Sequence, residues 1–166
     1  MMKYLKLTTF SVAFLFCVQS MAQSNVGGLL AYASDIKNLG IGINGEHFIN
    51  GKLSIAPSFI YFFSKTQFSV KQNMWELNGD ANYQFYTTGN VRVFFIGGLN
   101  ITGIKVKFSD PSLGSFSNTT TRVGLNIGSG VNFDISMKWQ PFFMLKYVIS
   151  DFDHFVIGGG VKYKIK

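Results

Sequence analysis

The strongest constraint on the fold is a two-residue repeat of apolar side chains that runs from about residue 39 to residue 165. In its clearest stretch, residues 75–85, every odd position holds an apolar or small residue and every even position holds a polar one. Successive side chains of a β-strand point to opposite faces of the sheet, so the pattern predicts strands with one apolar and one polar face. Helical spacing is nearly absent, and we therefore expect an all-β protein.

Seven such runs, preceded by a weaker one at Val26–Ser34 whose outward face the pattern does not assign, predict eight strands. Each has about ten residues, the length that a tilted transmembrane strand needs. Short turns follow the even-numbered strands, at Asn50-Gly51 (a type I′ hairpin signal) and at residues 87–90 and 134–136. Polar stretches follow the odd-numbered strands, the longest from about Lys105 to Thr120. This layout predicts an eight-stranded antiparallel up-and-down transmembrane β-barrel of the bacterial outer membrane, with its longer loops outside the cell.

The placement of aromatic residues indicates which face meets lipid. On the uniformly apolar face, rings gather near both strand ends: Tyr61, Phe63, Trp75, Tyr147 and Phe155 at the loop end, and Tyr83, Phe85, Phe133, Trp139 and Tyr163 at the turn end. Such belts mark the two headgroup levels of a membrane barrel. The other face mixes charges with large apolar residues, namely Ile60, Phe62, Phe94, Phe142 and Met144. That mixture suits a packed interior, and a soluble lipocalin-like barrel is the alternative.

Closure of the sheet follows from the membrane environment. An open sheet edge in lipid leaves backbone groups unpaired at a cost of several kcal/mol each. Eight strands enclose an interior just wide enough for side chains to fill, so we expect a packed lumen and a monomer. The chain combines only 14% charged residues with a mean hydropathy of +0.22, which agrees with a lipid-facing exterior.

The amino terminus is predicted to be a processing segment, with a signal peptide at residues 1–22 and the barrel domain at residues 23–166. Two lysines precede an apolar stretch, Leu7–Val18, and a small-x-small cleavage site ends at Ala22. As a helix that stretch spans roughly 18 Å, short of the ~30 Å hydrocarbon core. Cleavage removes the single cysteine, Cys17, and leaves 13 Lys and Arg against 8 Asp and Glu. An exported chain does not meet genomic nucleic acid, so the positive excess is expected to face anionic lipid or the fold interior.

The chain resembles one family in four places. These are the end of the signal at residues 21–23 (MAQ), the segments at residues 38–42 (NLGIG) and 52–58 (KLSIAPS), and the final strand. The family is that of the small eight-stranded outer-membrane barrels of the OmpX and OmpA transmembrane-domain type, the outer membrane protein β-barrel domain group. The resemblance covers Asn25 to Lys166. It implies a Gram-negative outer-membrane location and insertion by the outer-membrane assembly machinery. Barrels of this type end in Gly followed by aromatics at the third and fifth positions, whereas here Gly160 is followed by Tyr163 and then by Ile165.

Six charged residues fall on the predicted inner face, three acids on strands two and four and three bases on strands five to seven: Glu46, Glu76, Asp80, Arg92, Arg122 and Lys146. Opposite walls of so narrow a barrel touch, and we predict a cross-lumen salt-bridge network that plugs it. Three further lysines are expected at the turn-end rim, within reach of water: Lys138, Lys162 and Lys164. The alternative is a narrow, porin-like ion or proton path along the same residues.

Four lysines lie in or beside the second and third outer loops: Lys65, Lys71, Lys105 and Lys107. They are candidates for contacts with the phosphates of lipopolysaccharide, each worth on the order of 1 kcal/mol. The alternative is that they are solvated loop lysines. Outer-membrane lipids and lipopolysaccharide are therefore the expected partners, and the sequence does not name an extracellular one.

Two patterns with chemical content are expected to be structural. Residues 40–45 match G-x-G-x-x-G, but a hairpin follows where a nucleotide site needs a helix. Residues 150–154 (SDFDH) place a hydroxyl, two carboxylates and an imidazole in the last outer loop, which makes an outer-membrane lipid-modifying enzyme an alternative. Adjacency in a loop does not hold nucleophile and base in hydrogen-bond reach, and two carboxylates are too few for a Ca²⁺ site. We expect no enzymatic activity and no cofactor, and a structural or surface-interaction role.

Overall fold

The computed structural model describes residues 24–67, 70–110 and 114–165, with side chains outside residues 65–71 and 107–116, and shows eight antiparallel strands closed into a barrel. The strands are β1 (Ser24–Ala33), β2 (Asn38–Phe48), β3 (Leu53–Gln67), β4 (Val70–Thr88), β5 (Val91–Asp110), β6 (Gly114–Phe133), β7 (Trp139–Ile149) and β8 (His154–Ile165). Each strand pairs with its neighbours in sequence, and β1 closes the ring against β8. The predicted up-and-down barrel is confirmed. No described segment forms a helix long and apolar enough to cross a membrane.

The connections alternate between two ends of the barrel, here named the turn end (after β2, β4 and β6) and the loop end (after β1, β3, β5 and β7). At the first turn, the Asn50 side chain accepts hydrogen bonds from the backbone N–H of Lys52 and Leu53, at 2.9 and 2.8 Å. Gly51 does not have the positive φ that a type I′ turn requires, so that part of the prediction is wrong. Gly89, in the second turn, does have a positive φ of 53°.

Three strands are much longer than the sequence pattern predicted. β4 has 19 residues and β5 and β6 have 20 each, and β5 pairs with β6 as far as Asp110 and Gly114. Within the predicted loop from Lys105 to Thr120, residues 105–110 and 114–120 are therefore paired strands. The Ser, Thr and Asn residues of this segment form no apolar alternation from which a strand could be predicted, although threonine is a good strand former. The hydrophobic repeat located only the part of each strand inside the barrel.

The two faces of the barrel agree with the predicted lipid and lumen faces. Every strand exposes large apolar side chains on its outward face, among them Leu30, Ile41, Phe59, Leu99, Leu125 and Ile157. The structure also orients β1, which the pattern could not: Asn25, Leu29 and Ala31 face the lumen, while Val26 and Leu30 face outward. An apolar exterior of this extent suits contact with lipid along the strands, as in a membrane-embedded barrel.

Candidate functional site: packed lumen and projecting sheet

A buried ion pair lies in the turn-end half of the lumen. Lys162 Nζ lies 2.7 Å from Glu46 Oε2, and both side chains are almost fully enclosed. Ser54 Oγ donates to Glu46 Oε1 at 2.7 Å, and Lys162 Nζ also donates to Asn132 Oδ1 at 3.1 Å. The ammonium lies 4.7 Å from the centre of the Phe142 ring, a cation–π contact. These contacts compensate the charges for the water that they lose on burial.

A second cluster, the loop-half cluster, consists of Glu76, Asn78, Asp80, Lys146 and His154. Lys146 Nζ lies 3.4 Å from Glu76 Oε2 and donates to Asn78 Oδ1 at 2.7 Å. His154 Nε2 lies 2.7 Å from Glu76 Oε1. The Glu76, Lys146 and His154 side chains have no exposed area. The cluster's residues come from β4, β7 and β8, and hydrogen bonds connect them to β6.

Asparagines connect the loop-half cluster across the barrel. Asn126 on β6 donates to Asn78 Oδ1 at 2.9 Å and to Asp80 Oδ1 at 2.6 Å, so it joins two acceptors of β4. Asn100 on β5 donates to the same Asn78 oxygen at 2.8 Å. Amides can both donate and accept, which lets them link charged groups across a packed lumen.

Apolar side chains fill the middle of the lumen. Phe94, Phe142, Leu29 and Met144 are buried there, and they line a cavity of only about 30 Å³ together with Asn44 and Asp80. That volume has room for about one water molecule. The Asn44 Oδ1 atom is buried without a protein partner, which is a polar contact that one such water would satisfy. The described lumen is therefore a packed core and contains no continuous aqueous path.

Inner-face glycines make room for the large rings. A Cβ atom at Gly40 would lie 2.7 Å from the Phe62 ring, and one at Gly130 would collide with the Phe94 ring. The first of these glycines belongs to the G-x-G-x-x-G match, so its small size serves packing between adjacent strands.

An acid at the turn-end rim, Asp134, binds two basic side chains. Asp134 accepts hydrogen bonds from Arg92 at 2.7 Å, Lys164 at 2.5 Å and Gln140 at 2.9 Å. Partial burial raises the pKa of Asp134, but these donors outweigh that effect and lower its pKa to about 2. The carboxylate is charged at every physiological pH and ties the turn after β6 to β5, β7 and β8.

The structure brings together part of the predicted charge network. Glu76 and Lys146 meet as expected of opposite walls, and Asp80 joins them through Asn126. Glu46 pairs instead with Lys162, whose expected contact with water is wrong because its side chain is only 3% exposed. The remaining two predicted members lie away from these clusters.

Those two members are the arginines. Arg92 lies at the rim, bound to Asp134. Arg122 lies outside the lumen, half exposed and 3.7 Å from Asp151. Its position on β6 has the inward parity, but β7 pairs with β6 only from Leu125 onward, so no opposite wall exists at its level.

His154 is a buried lumen residue that the sequence pattern assigned to a polar loop. Its alternation with Val156 and Gly158 gave the available signal, because all three positions share the inner face of β8. Ser150 and Asp153 of the same segment bond within the loop: Asp153 Oδ1 accepts from the Ser150 N–H, and Ser150 Oγ accepts from the Phe152 N–H. The loop therefore does not bring its hydroxyl and its imidazole together.

Beyond the barrel, four strands continue as a sheet, here called the projecting sheet, of residues 63–67, 70–73, 105–110 and 114–119. Twenty strand residues span ~66 Å, or ~45 Å along the barrel axis at a tilt of about 45°, against a hydrocarbon core of ~30 Å. β6 has no β7 partner before Leu125, so in the described register its outer edge is free over residues 114–124.

The four loop lysines lie on the projecting sheet. The backbone of Lys71 pairs with that of Lys107, and Lys105 follows two residues earlier on β5, opposite Asn73. The Lys105 side chain is exposed. Lys65 pairs with Gln72 at the next register position. The side chains of Lys65, Lys71 and Lys107 lie outside the described ones.

No group of three or more His, Cys, Asp or Glu side chains in the described parts of the chain is arranged to hold a metal ion. The acids of the lumen are engaged by lysines, amides, a hydroxyl and the His154 ring, and the ring is also in contact with the Phe152 carbonyl oxygen.

Solved outer-membrane barrels share the fold. Neisserial surface protein A superposes with a TM-score of 0.68 at 19% identity, over 86% of this chain and 96% of that one. The N-terminal β-barrel domain of Pseudomonas aeruginosa OprF gives 0.63 at 19% identity, over 86% and 97%. Ail, the attachment invasion locus protein of Yersinia pestis, gives 0.62 at 14% identity, over 86% and 97%. No family model and no curated protein matches the sequence.

Proposed function

We propose that this chain is an integral outer-membrane protein that acts through its projecting sheet, without enzymatic activity, and that its barrel serves as an anchor. The observation that carries the proposal is the contrast between a plugged lumen and a sheet that extends past the membrane band. A barrel that conducts nothing leaves its exposed loop end as the surface available for partners.

The exterior supports the outer-membrane location. All eight strands expose large apolar side chains outward, and aromatic pairs such as Trp139–Tyr163, with ring centres 5.1 Å apart, lie near the strand ends. A leader at residues 1–22 and assembly by the outer-membrane machinery belong to the same proposal. Fractionation of Gram-negative cells, with heat-modifiable gel migration of the outer-membrane fraction, tests compartment and barrel together. A protein in the soluble fraction, with one gel position at all temperatures, would contradict it.

The projecting sheet offers two kinds of contact. Its free β6 edge, residues 114–124, presents backbone N–H and C=O groups to which an extended peptide can pair. Its lysine positions on β4 and β5 lie next to one another, beyond the aromatic level of Tyr61 and Trp75. The loop end of an outer-membrane barrel faces the phosphate-bearing outer leaflet, and lysines next to a membrane surface attract anionic groups by about 1 kcal/mol each.

Lipopolysaccharide is the partner that these lysines support. Ail has been solved in complex with the heparin analogue sucrose octasulfate, which is an example of a polyanion on a barrel of this fold. Binding of the purified protein to lipopolysaccharide micelles should weaken with added salt, because exposed charges are screened.

A matched pair of variants tests the lysine positions. K105S/K107S is expected to weaken binding to lipopolysaccharide micelles about tenfold. The variant removes two contacts that are worth about 1 kcal/mol each before solvent screening reduces them. K52S/K138S removes two lysines from the turn end and should leave that binding unchanged. Equal loss in both variants would show that net charge, and not the projecting sheet, governs the interaction.

A further inference from the structure

The loop-half cluster contains a titratable group in an unusual hydrogen-bond position. His154 Nδ1 lies 2.9 Å from the Phe152 carbonyl oxygen, and Nε2 lies 2.7 Å from Glu76 Oε1. A carbonyl oxygen and a carboxylate both accept, and a neutral imidazole has only one N–H. Both contacts are hydrogen bonds only when a second proton lies between the ring and Glu76.

The charge balance of the lumen leads to the same proton. Among the described side chains, the buried acids are Glu46, Glu76 and Asp80, and the buried lysines are Lys146 and Lys162. With all three acids ionised, three negative charges against two positive ones leave one negative charge uncompensated in a region of low dielectric. A protonated His154 makes the set neutral.

His154 also connects this cluster to the loop between β7 and β8. Phe152, whose carbonyl accepts from the ring, packs against the apolar core, with its own ring centre 5.5 Å from that of His154. The bonds of Ser150 and Asp153 hold the loop backbone in one turn. The imidazole is thus the polar connection between the loop and the plug, and Phe152 is the apolar one.

We propose that His154 and Glu76 form a buried proton-binding site that latches the 150–153 loop over the loop-end mouth of the barrel. While the site holds its proton, the ring donates to both Phe152 and Glu76 and the loop stays closed. When the proton is lost, the ring keeps one N–H for two acceptors, and one of them loses its partner. Loss of the Phe152 bond frees the loop.

The charged groups around the ring come from four elements. Glu76 contacts it from β4, which also carries the buried Asp80, Lys146 faces it from β7, and Asp151 and Asp153 belong to the loop itself, with Arg122 of β6 bound to Asp151. Lys146, whose Nζ lies 3.4 Å from Glu76 Oε2, disfavours a second positive charge, while Glu76 favours it at direct contact. The direct hydrogen bond makes Glu76 the partner that controls the site.

Nuclear magnetic resonance of the isotope-labelled protein in detergent micelles tests the latch. The imidazole nitrogen signals report the protonation of His154, and amide hydrogen exchange, corrected for its intrinsic pH dependence, reports loop closure. We expect protection of the 151–153 amides to fall about tenfold or more as the pH rises through the His154 midpoint, the size expected from one lost hydrogen bond to a charged group. Protection that does not change across that midpoint would overturn the proposal.

Two variants give further arms of the same experiment. H154Q keeps a donor near Glu76 and cannot titrate, so its loop protection should show no pH transition. E76Q replaces the competing carboxylate with an amide that can donate to a neutral Nε2, which leaves the Nδ1–H on Phe152, so its loop protection should stay high across the wild-type transition. H47Q, at the turn end, is the matched control and should keep the wild-type transition. A variant that fails to fold is recognised by its heat-modifiable migration, and the wild-type titration then decides alone.

Discussion

Replacing Lys162 with methionine is expected to destabilise the barrel by about 3–5 kcal/mol, the usual cost of removing one partner of a buried ion pair. We expect a loss of this size because both side chains of the Lys162–Glu46 pair are at most 3% exposed and their charged atoms lie 2.7 Å apart. K162M leaves Glu46 charged with only hydroxyl and amide donors from Ser54 and Asn82. It also deprives Asn132 of the ammonium that its oxygen accepts from.

Two further variants separate the charge effect from packing. The double variant E46L/K162M carries no orphan carboxylate, and we expect it to recover at least about half of the lost stability, since apolar replacement of a buried pair is often neutral. K138M removes an exposed lysine of the turn end and should stay within about 0.5 kcal/mol of the wild type.

Reversible urea unfolding in lipid vesicles measures these differences, with tryptophan fluorescence and heat-modifiable migration as two independent probes. A K162M barrel within about 1 kcal/mol of the wild type would refute the assignment of Lys162 as a buried partner. A double variant no more stable than K162M would refute the view that the orphan Glu46 charge causes the loss.

Three other substitutions test separate parts of the structure. D134N should lower stability by about 1–2 kcal/mol at pH 7, allowing for partial exposure of the carboxylate. The difference should disappear between about pH 4 and pH 2, because a carboxyl with a lowered pKa stabilises the fold only while it is charged. A difference in unfolding free energy that persists at pH 2 would contradict this. G130V should cost about 1–3 kcal/mol by collision with the Phe94 ring, whereas G97A, whose added Cβ meets nothing within 4 Å, should be mild in the same assay. L99R, on the outward face, should cost about 2–4 kcal/mol in vesicles, and an unchanged stability would contradict lipid contact at that position.

The sequence predicted the fold because the barrel sorts its side chains by a simple rule. Every strand has lipid on one side and a packed lumen on the other, so a period of two specifies strand, face and closure together. The same rule stops at the membrane boundary. Residues 105–110 and 114–119 lie beyond the barrel, where β5 keeps only a short alternation of Val106 and Phe108 with two lysines and β6 is a run of mostly Ser, Thr and Asn.

The lumen contacts were predicted less completely, for a geometric reason. Alternation tells which residues point inward, and it placed Glu46, Glu76 and Lys146 correctly on the inner face. It does not tell the height at which strands of different length stand against one another. Because of these relative heights, Glu46 meets Lys162 and His154 meets Glu76. For the same reason Arg122 lies beyond the end of β7.

The central claim is that the lumen is a plug and that the surface carries the function. Planar-bilayer recordings of the purified, folded barrel test it most directly. The packed lumen, with its cavity of about 30 Å³, predicts no steady single-channel conductance at neutral pH. Reproducible, ohmic single-channel steps from the purified protein would contradict the plug and would restore the narrow channel as the function.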